Sequence, residues 1–202
     1  MKNEEKTLLA ARPDLAAIAQ WVAPGARVLD LGCGDGALLR YLWQARQAPG
    51  YGVEIEDDSV IACVANDVNV IQADLEGGLS LFSDGSFDCV ILSQTLQAMR
   101  HQEAILREML RVGREAIVSF PNFGHWSARL QVALGRMPVS ESLPYEWYET
   151  PNLHHCTVTD FEDLCRKISI RISERLVLHE GRPVTVMPNL LGSLAVYRCT
   201  AG

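Results

Sequence analysis

The chain has 202 residues, 48% of them hydrophobic, and a formal net charge of −7. That acidic balance argues against nucleic acid as a partner, because phosphate contacts by Lys and Arg dominate such binding. One domain spanning 1–202 is expected, since single cores grow to roughly 250 residues before chains split, and no apolar run reaches the roughly 18 residues that a bilayer crossing needs.

Met1–Lys6 is charged with no apolar stretch behind it, so no secretory leader is expected and a cytoplasmic location is. Pro13–Val22 reads as a helix, with Leu15, Ile18 and Val22 recurring at helical spacing. Arg27–Leu31 is a strand that runs into the turn Gly32-Cys33-Gly34-Asp35-Gly36, and a helix follows over 36–47. Strand, glycine turn and helix make the first unit of a doubly wound α/β sheet.

Tyr51–Ile55 is the second strand, ending on Glu54, and Asp57-Asp58-Ser59 caps a helix over 60–66. Asn69–Leu75 gives a third strand with Asp74 at its end. Phe87–Ser93 is a near-continuous apolar run, as a central parallel strand requires. It exits into the polar Ser93-Gln94-Thr95. A helix over His101–Val112 and a strand over Glu115–Phe120 complete the regular alternation, closed by Pro121-Asn122. Arg100, Arg107, Arg111 and Arg114 read as a solvated helix face.

The pattern then breaks. The segment 123–157 holds a helix over Trp126–Arg136, prolines at 138, 144 and 151, and the cluster Tyr145-Glu146-Trp147-Tyr148. It is too long for an ordinary connection and reads as an inserted lid or partner segment, with the interface favoured for its Tyr and Trp. Thr159–Cys165 has a cap and an acidic first turn for a helix, and Ile170–Leu178 and Leu194–Cys199 are late strands joined across 181–192. The fold expected is one Rossmann-like α/β domain with a mostly parallel seven-stranded sheet, an antiparallel last strand and helices on both faces.

Gly32-x-Gly34-x-x-Ala37 formally fits a dinucleotide fingerprint. Asp30 opposes that reading, because a carboxylate beside the turn repels a pyrophosphate and suits an ammonium or sulfonium. Asp30, Glu54 and Asp74 fall at the ends of successive strands, where open α/β sheets bind ligands. The set points to an adenosyl ligand without phosphates: S-adenosylmethionine (SAM) or S-adenosylhomocysteine (SAH). Glu54 would accept from ribose hydroxyls and Asp74 from the adenine amino group. The expected ligand-contacting residues are Asp30, Gly32, Cys33, Gly34, Glu54, Ile55, Asp74, Leu75, Ser93 and Gln94.

Val28–Gly36 resembles the first motif of class I SAM-dependent methyltransferases. Four further stretches, 51–55, 92–97, 119–126 and 143–152, resemble the methionine biosynthesis family MetW, a likeness that runs over residues 12–180. It implies a SAM-binding partner or activating subunit of the homoserine O-acyltransferase MetX. The alternative is an active methyltransferase on a small molecule or protein. The exit of the fourth strand lacks the Asn/Asp-Pro-Pro-aromatic signature of amino-methylating relatives, and Pro121-Asn122-Phe123, after the fifth strand, reads as a turn. No catalytic residue is assigned; His125 reads as a hydrogen-bonded structural histidine. No metal is expected, because His154 and His155 are adjacent and point apart. Six cysteines without C-x-x-C spacing read as reduced buried thiols.

Overall fold

A computed structural model describes residues 12–202. The leader expectation for Met1–Lys6 lies outside these residues. The described chain runs α1 (Pro13–Trp21), β1 (Val28–Leu31), α2 (Ala37–Arg46), β2 (Gly50–Glu54), α3 (Asp57–Ala65), β3 (Val70–Gln72), β4 (Phe87–Ser93), α4 (Gln102–Val112) and β5 (Gly113–Pro121). It continues with α5 (Trp126–Ala133), α6 (Val158–Lys167), β6 (Ile170–His179), the two-residue β7 (Arg182–Pro183), α7 (Pro188–Leu191) and β8 (Leu194–Ala201).

All the strands join one sheet in the order β3-β2-β1-β4-β5-β8-β6-β7. β1 to β5 are mutually parallel, and β8 runs antiparallel to both β5 and β6. The sheet has one strand more than the seven expected, because β7 turns back on the end of β6. Strand alternation sends successive side chains to opposite faces. Val28, Cys89, Ile91 and Ile117 pack under α1 and α2, while Leu29, Val90, Leu92 and Val118 pack under α4 and α6.

Several boundaries moved for local reasons. α3 starts at Asp57, so Asp57 and Asp58 occupy its first turn, where carboxylates oppose the helix dipole. β3 stops at Gln72 because Asp74 caps a 3₁₀ turn over Leu75–Gly77, accepting from Glu76 N at 2.9 Å. α6 is capped by Thr157, two residues before the expected cap, in a reciprocal box with Asp160. Arg111 is more than a solvated charge: it pairs with Glu108 at 2.7 Å and donates to the Leu79 and Phe82 carbonyls, tying α4 to the loop after β3.

The sheet's α6 side centres on Phe120, Phe161 and Tyr197, with ring centroids 4.7–5.9 Å apart. Tyr197 keeps its hydroxyl satisfied on Glu162 at 2.9 Å, and Glu162 also meets Arg175. Phe161→Ala should lower the unfolding free energy by about 3–5 kcal/mol, the usual cost of emptying a buried aromatic site. Urea denaturation checks this; a loss near that of a surface substitution would mean the cluster is not a core.

Candidate functional site

Asp30 sits on β1 between Leu29 and Leu31 and is only 3% exposed. Alternation puts it on the α1 face, with Ser93 of β4 and Ser119 of β5, which lie opposite one another in register. The glycine turn follows at once. Gly32 has φ +69°, and a Cβ there would lie 2.7 Å from Thr95 Oγ1, so only glycine fits. The N–H groups of Gly32 and Cys33 both donate to Val53 O, at 2.8 and 3.2 Å, which fixes the turn against β2.

Glu54 completes that anchoring. Its Oε2 accepts from Gly34 N at 2.8 Å, and its Oε1 accepts from Ile55 N at 2.8 Å and Glu56 N at 3.3 Å. A carboxylate has about four acceptor positions, so one remains open here. Glu54 is therefore a staple of the turn that keeps one acceptor position to spare. Asp30 is less well served, because its Oδ1 has no hydrogen-bond partner. Burial first, opposed by Arg12 and reinforced by the nearby Glu54 charge, pushes its carboxyl up to about 7.

The fourth strand's exit is organised by a residue that sequence reasoning passed over. Asp14, in the first turn of α1, is fully buried. Its Oδ2 accepts from Ser93 Oγ at 2.9 Å, Ser119 Oγ at 3.1 Å and Gln94 Nε2 at 3.1 Å, and Arg12 meets the carboxylate at 2.8 Å. Burial opposes ionisation, but Arg12, Gln94 and Ser93 hold the Asp14 carboxyl below its ordinary range. Gln94 adopts φ +52°, a left-handed conformation costly for a side-chain-bearing residue. The local signal at Asp14, an acid in a helix's first turn, looks like ordinary dipole complementation. Only the fold brings it to residues 79 and 105 positions away.

The structure thus brings Asp30, Gly32, Cys33, Gly34, Glu54, Ile55, Ser93 and Gln94 to the carboxyl ends of β1, β2 and β4. Cys33 and Cys63 sit with sulfurs 3.7 Å apart, and Cys63 Sγ donates to Gly34 O at 3.1 Å. Asp74 and Leu75 stand farther along, past β3; Asp74 is exposed, with one oxygen on Glu76 N. Asn122 is a structural residue, as a turn requires: its amide donates to Asn189 O and Gly192 O and accepts from Gly124 N and Val158 N. His125 is buried, with Nδ1 2.8 Å from Ser127 Oγ and its ring 4.8 Å from that of His179, but its Nε2 has no partner. Burial, then the His179 charge, holds its pKa below the usual imidazole value.

A family model described as "Methionine biosynthesis protein MetW" matches residues 12–199. The chain belongs to the MetW family. It is 38% identical over 173 residues to the bifunctional methionine biosynthesis protein MetXA/MetW of Rhodopirellula baltica, a match covering 81% of this chain and 28% of that protein. The chain therefore spans about a quarter of the length of that relative. Among solved structures it resembles a SAM-dependent methyltransferase, a possible histamine N-methyltransferase, from Thermotoga maritima (TM-score 0.67, 20% identity, 100% of this chain and 95% of that one). It also resembles magnesium protoporphyrin IX methyltransferase from Synechocystis with bound SAH (TM-score 0.66, 18% identity, 96% and 84%). These structural likenesses show that the chain has the fold of those methyltransferases.

Asp30 generates a pH test. Its raised pKa means that stability present below about pH 4 is lost as pH rises through about 7. Asp30→Asn should remove this loss, so that the unfolding free energy of the parent protein falls relative to the variant across that window, by about 1.4 kcal/mol per pH unit at most. Parallel denaturation curves at pH 5 and 8 measure the difference. An identical pH dependence in both proteins would show that Asp30 is not held neutral.

Proposed function

We propose that this MetW protein binds SAM or SAH at the glycine turn and acts in methionine biosynthesis as the companion of a MetX-type homoserine O-acyltransferase. One observation carries the ligand: a buried carboxylate with an orphaned oxygen, Asp30, beside a left-handed glycine turn. Such a group is costly unless a cation or donor meets it. Bound SAM supplies an ammonium and a sulfonium, a positive charge in the place where Asp30 is short of one. Asp30 would hold the charged end, Glu54 would accept from the ribose through its open position, and Ser93 and Gln94, held in place by Asp14, would complete the wall.

Support for the partner comes from elsewhere. The R. baltica relative carries both names, MetXA and MetW, in one chain. In this chain the segment 123–157 holds ten of the nineteen exposed large hydrophobic residues among those described. Trp147 is 69% and Tyr148 65% exposed, and their rings pack edge to face at 5.7 Å rather than into the core. Apolar surface gathered in one segment marks an interaction site. Asp30→Ala or Glu54→Ala should weaken SAM binding by about 1.5–3 kcal/mol, and affinity should fall about tenfold per pH unit below about 7, where Asp30 takes up its proton. Asp30→Asn should flatten that profile. Calorimetric titration checks both, and unchanged affinity in all three variants would place the ligand elsewhere.

Trp147→Ala and Tyr148→Ala should each weaken binding to purified MetX by about tenfold or more, the size of an interface anchor, and leave SAM affinity unaltered. Surface-based binding measurements with the two proteins decide it. A loss of SAM affinity instead would make 123–157 a ligand lid.

Methyl transfer to a small or protein acceptor is the second reading. The observation favouring it is His125: its Nε2 has no partner, and in the tautomer in which Nδ1 donates to Ser127 Oγ that nitrogen has a lone pair to take a proton. Label transfer from SAM to purified MetX or to a cell extract, abolished in His125→Gln, supports this reading; no transfer with SAM binding intact removes it.

A further inference from the structure

A cavity of about 800 Å³ opens beside the amino ends of β1, β2 and β4, away from the glycine turn. It exists because β3 is short. β3 begins at Val70, opposite Gly52, so Gly50 and Tyr51 of β2 have no strand on that side. α2 supplies one wall with Arg40, Trp43 and Gln44, which stand at i, i+3 and i+4 on a single helix face. Tyr51 and Asn69 also line it.

The chemistry of this lining is uncommitted. Trp43 is 54% and Tyr51 48% exposed, so two aromatic faces are open to the groove. Among the described residues, Arg40 meets no carboxylate; Nη1 donates to Asn66 Oδ1 at 3.2 Å, and Asn66 is itself pinned to Asp35 O at 2.9 Å. The guanidinium is thus oriented without being neutralised. The side-chain amides of Gln44 and Asn69 have no hydrogen-bond partner among the described residues. Of the two arginines in the lining, Arg27 is paired with Asp88 at 3.3 Å, so Arg40 is the cation left to meet a ligand, with Asp67 the one acid of the lining. Cavities of this size with convergent polar groups are the ordinary form of small-molecule sites.

We propose that this groove binds a planar heteroaromatic anion, a ring bearing a phosphate or a carboxylate. The ring stacks on Trp43 or Tyr51, which is favourable for any flat π system and tolerant of its identity. Arg40 takes the anion, since its planar fork matches phosphate and carboxylate oxygens. Gln44 and Asn69 are placed to read the ring's hydrogen-bonding edge. The ligand differs in kind from that of the glycine turn, where the unmet charge is negative.

Calorimetric titration with uridine 5′-monophosphate and with indole-3-acetate tests the proposal, with uridine and indole-3-acetamide as neutral counterparts. Arg40→Gln and Trp43→Ala change exposed side chains, and thermal melts confirm that both variants fold. At least one anion should bind, its neutral counterpart about tenfold more weakly or worse, and each variant should lose about tenfold in affinity for the anion. Binding of the nucleotide alone assigns a phosphate, and binding of indole-3-acetate alone a carboxylate. Failure of both anions at millimolar concentration, equal binding of a neutral counterpart, or full affinity in both variants would overturn it.

Discussion

A carboxylate inside the first strand constrains everything around it. β1 is buried along its whole length, and Asp30 takes one of its four places. Burying a charged or polar group without full compensation costs several kcal/mol. The fold answers by distributing acceptors and donors unequally. Glu54, a few ångströms of sheet away on β2, receives three backbone N–H groups, and Asp14 receives an arginine, two hydroxyls and an amide. Asp30 receives too few. Among the three buried acids at this end of the sheet, the unmet one is Asp30, two residues before the first glycine of the turn, so the deficit lies at the candidate site.

The same division explains the two conformational costs beside the site. Gly32 is bare because Thr95 closes over it, and Gln94 is held left-handed because its amide is drawn onto Asp14 while its N–H donates to Ser119 O at 2.9 Å. Both belong to the exits of central strands, which are fixed by pairing on either side. Strain of this sort persists only where the surroundings over-determine it. The Asp14 network supplies that over-determination from a helix that precedes the whole sheet in sequence.

How far the sequence carried depended on the range of the interactions. β4 was legible to the residue, Phe87–Ser93, because a continuous apolar run bounded by turn residues has one reading in a parallel sheet. Asp30, Glu54 and the glycine turn were legible because they are local: strand, turn and acid lie within one βαβ unit. β3 was read too long because Asp74 ends it with a side-chain cap that spacing alone does not distinguish from a strand tip. Asp14 was missed for the opposite reason, since its partners are remote and its own surroundings are those of a commonplace helix start. The small β7 could not be read at all; two residues carry no periodicity, and its pairing depends on the turn at Glu180-Gly181, both in positive φ.

The segment 123–157 is where scaffold and exposed surface meet. It has little regular structure of its own after α5: one isolated bridge between Ser140 and Leu143, and a pair of bonds between Gln131 and Val139. Its return to the body begins at Gln97 O, which accepts from Leu153 N at 2.9 Å and His154 N at 3.0 Å, and continues where Cys156 O accepts from Phe123 N at 3.1 Å. Gln97 in turn donates its side-chain amide to Gln94 O. A contiguous hydrogen-bonded chain therefore leads from Asp14 through Gln94 and Gln97 to Leu153 and His154, near the carboxyl end of the segment. Most of the large apolar residues on that segment are exposed, while the stretch that follows Tyr148 is tied to the turn that closes the fourth strand. Exposed apolar area gathered on one segment, with little regular structure to bury it, fits the docking role proposed for it.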